Sequence, residues 1–122
     1  MEKRNPTSKI TEISDLPNLR KRYHGKTIVF TVGCFDILHH GHVYFFNDCS
    51  KLGDVLVVGI AKDSTLKVYK GENRPVNQEM NRLYLVAGFE CVDYALLNED
   101  MVGEGRGEEY RQTKIDFKKV LE

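Results

Sequence analysis

Short apolar runs alternate with polar, charged stretches along the chain, and the spacing within each run predicts its structure. Residues 27–32 read Thr-Ile-Val-Phe-Thr-Val, a β-branched, apolar run of strand length. Residues 55–60, Val-Leu-Val-Val-Gly-Ile, form a second run, and residues 92–97 a third. These runs are continuous rather than alternating, as expected of strands covered on both faces in a parallel sheet. Between them the period changes. Leu16, Leu19 and Tyr23 fall at i, i+3 and i+7, with Pro17 in the first turn of a short helix that Asp15 opens and His24-Gly25 ends. Phe45, Phe46, Cys49 and Leu52 recur at helical spacing after a start near His40 or Gly41, and Gly53 closes that helix. Asn77 can cap a further helix running to about Gly88, with Glu79 in its first turn. Residues 61–71, with Lys62, Lys67 and Lys70, read as a polar loop, and residues 73–75 as extended chain before Pro75. Residues 98–112 read as a loop in which Gly103, Gly105 and Gly107 imitate a dinucleotide fingerprint without its spacing. A last helix is expected over residues 113–122, with Ile115, Val120 and Leu121 apolar.

A helix followed by three strand-helix units predicts an α/β fold, a Rossmann-like open parallel sheet with flanking helices and right-handed crossovers. Residues 1–13 are polar and are expected to be a flexible segment ahead of a single domain over residues 14–122. At 122 residues and 41% hydrophobic the chain can bury one core. Lys plus Arg and Asp plus Glu stand at 18 each, so there is no basic excess for nucleic acid or a membrane surface, although a small basic pocket fits. No run approaches the roughly 18 apolar residues of a membrane span, and no apolar segment follows the N-terminus, so no secretory leader is expected. Three cysteines, Cys34, Cys49 and Cys91, lack metal-ligand spacing and predict a reduced, cytoplasmic protein.

In open α/β sheets, ligands sit beyond the carboxyl ends of the strands. The first strand ends at Val32 and is followed by Gly33-Cys34-Phe35-Asp36-Ile37-Leu38-His39-His40-Gly41-His42. Gly33 permits a tight turn and close approach of backbone to ligand. The N–H groups of Cys34 and Phe35, with the amides and positive dipole end of the helix that follows, suit a phosphate. His39 and His42, three residues apart, share a helix face and can donate hydrogen bonds to phosphoryl oxygens, where charge builds in the transition state. Gly41 keeps Cβ bulk away from a nucleotide, and His40 points elsewhere. Three histidines in four positions could instead hold a metal, but zinc needs a third or fourth ligand and no Cys or carboxylate nearby is well placed, so no metal ligands are assigned. Asp36 is expected to orient the turn by accepting from local backbone N–H groups.

The pairing of Gly33-Cys34-Phe35-Asp36 with His39-His40-Gly41-His42 resembles the G-x-F-D and H-x-G-H motifs of the cytidylyltransferase-like nucleotidyltransferases. Residues 27–39, the segment Lys67-Val68-Tyr69-Lys70-Gly71-Glu72-Asn73-Arg74-Pro75-Val76-Asn77 and the segment Glu90-Cys91-Val92-Asp93-Tyr94 are most similar to the adenylyltransferase domain of the bifunctional ADP-heptose synthases. Glycerol-3-phosphate cytidylyltransferases share the first motif and match the second less well. The resemblance covers about residues 10–100. It implies transfer of a nucleoside monophosphate from ATP or CTP, carried with Mg²⁺, to a phosphorylated small-molecule acceptor, with release of pyrophosphate. It implies catalytic roles for His39, His42 and Lys67. It also implies nucleotide binding by Gly33, Cys34, Phe35, Asp36, Gly41, Lys70 and Arg82. Alternatively, Lys67 and Lys70 are solvated loop charges and Arg82 pairs with Glu79.

Two further strands and a serine/threonine-rich segment that the family carries have no counterpart before Glu122. The chain is therefore expected to hold the first half of the sheet, with the strand at 27–32 left as an apolar edge. A longer parent protein, a partner chain such as a second copy in a homodimer, or a degenerate form that binds nucleotide poorly would each accommodate that edge, and a catalytically inactive nucleotide-binding module is the alternative function. A class I aminoacyl-tRNA synthetase shares a similar histidine motif, but the chain is too short and insufficiently basic for one.

Overall fold

The computed structural model describes residues 4–98, and the glycine cluster and last helix expected beyond them lie outside this range. The described elements are α1 (Pro6–Lys9), a 3₁₀ turn (Ile13–Asp15), α2 (Leu16–Arg22), β1 (Ile28–Gly33), α3 (His40–Ser50), β2 (Val55–Ala61), α4 (Asp63–Lys70), α5 (Glu79–Ala87) and β3 (Tyr94–Asn98). The strands form a parallel sheet in the order β1-β2-β3. Ile28 pairs with Val55 and Gly33 with Ile60, while Val57 pairs with Tyr94 and Ala61 with Asn98. This is the α/β, Rossmann-like sheet that the apolar runs predict. The expectation of an open edge beyond β1 lies outside the described residues.

Every residue of β2 is buried, because the strand is covered on both faces. Val55, Val57 and Ala61 pack with Leu16 and Leu19 of α2 and Leu66 of α4. Leu56, Val58 and Ile60 pack with Phe46 of α3 and with Leu83, Val86 and Ala87 of α5. Fully burying each large apolar side chain contributes about 1.5–3 kcal/mol, so two helix layers around a central strand explain why its sequence does not alternate. All three strands end at one edge, at Gly33, Ala61 and Asn98, and the site lies there.

Three local expectations are corrected. The polar start, read as flexible, is tied to the body: Asn5 caps α1, Lys9 is buried with Nζ donating to the Phe89 carbonyl at 3.0 Å, and Ile10 bridges Ala95. The segment with Lys62, Lys67 and Lys70 is helix α4 rather than a loop. Its two lysines face solvent while Thr65 and Leu66 turn inward, so a short amphipathic helix looks polar in composition. Finally, α5 is capped at Gln78 without a side-chain bond, and Asn77 turns back to Asp36 instead.

Candidate functional site

The chain leaves β1 through a turn whose one left-handed residue is Phe35, at φ 50°. For a residue with a Cβ this conformation costs about 1–2 kcal/mol. Its ring offsets that cost by burial against Phe46, 5.1 Å between centroids, and by an edge contact to His42 at 5.8 Å. A Cβ at residue 33 would lie 2.7 Å from the Phe35 ring. Gly33 therefore makes room for an aromatic side chain beside the turn.

His39 is the N-cap of α3, and its Nδ1 accepts the Gly41 amide at 3.0 Å. In return, Nδ1 of His42 accepts the His39 amide at 3.1 Å. The two imidazoles thus form the reciprocal capping arrangement usually built from Ser or Thr and Glu or Gln. With both Nδ1 atoms accepting, each neutral ring carries its proton on Nε2, leaving that N–H to donate elsewhere. The rings lie 4.2 Å apart, tilted by 54°, so the structure brings them together as the spacing predicts. Burial, and then the neighbouring His39, hold the His42 pKa below the usual histidine value. The His40 ring has edge-on contacts with His39, at 5.9 Å between centroids, and with Tyr44, at 6.4 Å. A Cβ at Gly41 would come within 2.7 Å of the His39 ring, so this glycine clears space for the cap itself. The amides of Gly41 and His42 are likewise engaged, by Nδ1 and by the carbonyl of His39.

Asp36 is buried, but its partners are distant, not local as expected. Its carboxylate accepts the amides of Val76 at 2.9 Å and Asn77 at 2.8 Å and pairs with Arg74 at 3.3 Å. Its carbonyl accepts Nδ2 of Asn77 at 2.6 Å. Burial pushes the carboxyl pKa up, but the two amides and the guanidinium outweigh it and hold the group below the usual carboxylate range. Asp36 thus straps residues 74–77 over the turn after β1.

Arg82, expected at a phosphate, is instead fully buried. It donates to the carbonyls of Asn77 (2.9 Å), Cys34 (2.8 Å) and Ala61 (2.6 Å) and to Oδ1 of Asp63 (2.7 Å). The proposed pairing with Glu79 does not form; Glu79 accepts the Asp63 amide at 2.9 Å. Burial pushes the Cys34 thiol above its ordinary pKa, against the opposing charges of Lys70 and Arg82, so the shift runs away from a thiolate. Lys67 and Lys70 stand one turn apart on α4 and are both exposed. Sequence reasoning missed the framework roles of Asp63 and Asn77 and the Asp36 partner of Arg74, a residue placed before Pro75 to pin the loop. The Asn73-Arg74-Pro75-Val76-Asn77 segment was the available signal for Arg74 and Asn77.

The arrangement has relatives. The chain is 43% identical over 102 residues to the Bifunctional protein HldE of Aliarcobacter butzleri, covering 82% of this chain and 21% of that protein. It is 47% identical over 89 residues to the Bifunctional protein HldE of Helicobacter hepaticus, covering 73% and 18%. It spans about a fifth of the length of these curated relatives. The crystal structure of the lipopolysaccharide core biosynthesis protein from Thermoplasma volcanium superposes with a TM-score of 0.56 at 34% identity, covering 75% of this chain and 68% of that one. Residues 30–117 match the cytidylyltransferase-like family model. With the paired histidines, the turn after β1 and the parallel sheet all in the expected places, this match establishes that the chain belongs to the cytidylyltransferase-like family.

Proposed function

We propose that the chain carries the nucleotide-binding part of a nucleotidyltransferase that moves a nucleoside monophosphate from ATP or CTP to a sugar phosphate or phospho-alcohol. The observation that carries this reading is the pair of mutually capped imidazoles, each presenting an Nε2–H beside the turn after β1. Adenylyl transfer to a heptose 1-phosphate is favoured, because the segments that carry the motifs resemble adenylyltransferase domains of that type. The name of the Thermoplasma relative, a lipopolysaccharide core biosynthesis protein, agrees.

A phosphate oxygen of the acceptor attacks the α-phosphorus, a new P–O bond forms, the α–β bridging P–O bond breaks and pyrophosphate leaves. No covalent enzyme intermediate is needed, so catalysis is positioning and charge stabilisation. His39 and His42 donate to phosphoryl oxygens and strengthen those bonds as charge builds. A neutral His42, consistent with its lowered pKa, donates from Nε2 without losing its cap. Cys34 and Phe35 offer backbone at the α-phosphate, and the exposed Lys67 and Lys70 of α4 attract substrate phosphates and the leaving pyrophosphate. Gly33, Asp36, Gly41 and Arg82 act by shaping the site.

Mg²⁺ fits this site as part of the nucleotide. Asp36 and Asp63 are occupied by Arg74 and Arg82, and no group of three His, Cys, Asp or Glu among the described residues is arranged for a metal. The ion would be held by triphosphate oxygens, where it neutralises charge on the leaving group. No helix among the described residues is long and apolar enough to cross a membrane. The free thiols of Cys34, Cys49 and Cys91 suit the cytoplasm. A homodimer belongs to the same proposal.

The test is pyrophosphate release by the 122-residue chain with Mg²⁺, ATP or CTP, and heptose 1-phosphate or glycerol 3-phosphate. Activity with one pair, lost in His42→Ala with the fold retained, is the expected result. Nucleotide binding without turnover of any acceptor would reduce the chain to a binding module, and an unaffected His42→Ala rate would discard the histidine assignment.

A further inference from the structure

Arg82 is buried completely, yet its guanidinium is wholly polar, and its partners explain it. Three are main-chain carbonyls on three separate segments: Cys34 after β1, Ala61 at the end of β2, and Asn77 in the strap over Asp36. The fourth is the Asp63 carboxylate at the start of α4, the helix that carries Lys70. Four of the five guanidinium N–H groups are consumed and the side chain is fully buried, which leaves at most one N–H for a phosphate. Lysine could not substitute, because its three donors radiate from one point whereas these acceptors surround a planar fork.

We infer that Arg82 is a positioning residue that locks the turn after β1, the entry to α4 and the strap at residues 74–77 into one unit, and that it does not contact the nucleotide. Its effect on turnover rests on the nucleotidyltransferase reading above; its effect on the backbone does not. The amides of Val76 and Asn77 report on this lock, since they bond to Asp36 rather than to Arg82.

The experiment compares the full 122-residue chain with Arg82→Lys and Arg82→Ala by amide hydrogen exchange and by pyrophosphate release from ATP, Mg²⁺ and heptose 1-phosphate. In Arg82→Lys, exchange at Val76 and Asn77 should rise at least about tenfold while the amides of central β2 stay within about twofold. The kcat should fall at least about tenfold with the KM for ATP within about threefold, the pattern of lost alignment rather than lost ground-state binding. Methylguanidinium should restore part of both readouts in Arg82→Ala and leave the parent chain unchanged. If Arg82→Ala does not fold, Arg82→Lys alone decides. Unchanged exchange at Val76 and Asn77, or a raised KM for ATP at constant kcat, overturns the inference. If the parent chain turns over no acceptor, the nucleotidyltransferase reading fails, and the exchange result still decides the positioning role.

Discussion

His39 and His42 are oriented by groups no more than three residues away, whereas Asp36 and Arg82 are oriented by groups 5 to 48 residues distant. The first pair stands at the surface end of a helix and is held by two amide bonds. The second is buried and gathers the ends of β1 and β2, the start of α4 and the strap before α5. The donors proposed to act on phosphate are therefore set by a local code, and the frame around them by the tertiary fold. Damage should follow the same division: loss of a histidine should affect chemistry with little effect on stability, and loss of the frame should affect both.

The largest effect that could break this division is Arg82→Met. Removing one partner of a buried charged network costs about 3–5 kcal/mol, so urea unfolding should show a loss of that size, against about 1 kcal/mol for the cap variant His39→Ala. Similar losses in the two variants would mean that the frame is no more than a second cap. Next comes His39→Asn. Asparagine is a good N-cap, so the unfolding midpoint should hardly move, while pyrophosphate release should fall about a hundredfold with the loss of the Nε2–H donor. A parallel loss of stability and rate would show that His39 is only a cap.

Thr65→Val sharpens the comparison from the other direction. Among the described residues Thr65 Oγ1 is buried without a partner, as are both polar side-chain atoms of Asn98, in contrast to Arg82 with its four bonds. Removing an unpaired buried hydroxyl should stabilise by about 1 kcal/mol in thermal unfolding, because the polar group no longer bears its desolvation cost. Destabilisation would reveal a partner for that hydroxyl in solution.

The smallest effect is the pH dependence of the half-buried His42. Its native pKa lies below the unfolded value of about 6.5. The unfolded chain therefore binds more protons, so the contribution is complete above about pH 6.5 and declines as pH falls through the native pKa. Gln at the third helical position preserves the capping geometry without titrating. Denaturant titrations from pH 7.5 to 5 should show a shallower acid slope in His42→Gln, and an unchanged slope would assign it to other groups.

The same local-to-distant division governs what the sequence discloses. The strands of the sheet and helix α3 are legible because uninterrupted β-branched runs and helical spacing are properties of neighbouring residues. The histidine pair is legible for that reason too. Helix α4 was obscured because only Leu66 and the methyl-bearing Thr65 face inward among its eight residues, and two lysines dominate its composition. The Asp36 strap and the Arg82 lock were not legible, since nothing in the spacing of residues 36, 63, 76, 77 and 82 specifies that they meet. Arg82 looks like a surface cation until its partners are seen. Gly33 and Gly41 were recognised as necessary, but the atoms that need their space, the rings of Phe35 and His39, emerge only in three dimensions.

Phe35 has an implication for anyone who would transplant the motif. Its left-handed backbone is tolerated because its ring is anchored on Phe46, which in turn meets the Phe89 ring at 5.0 Å. A loop copied from residues 33–42 would leave that aromatic ladder behind, and the copy would be free to relax into an ordinary right-handed bend with its imidazoles splayed. A transferable version of this site must therefore include the floor beneath it as well as the residues that give the motif its letters.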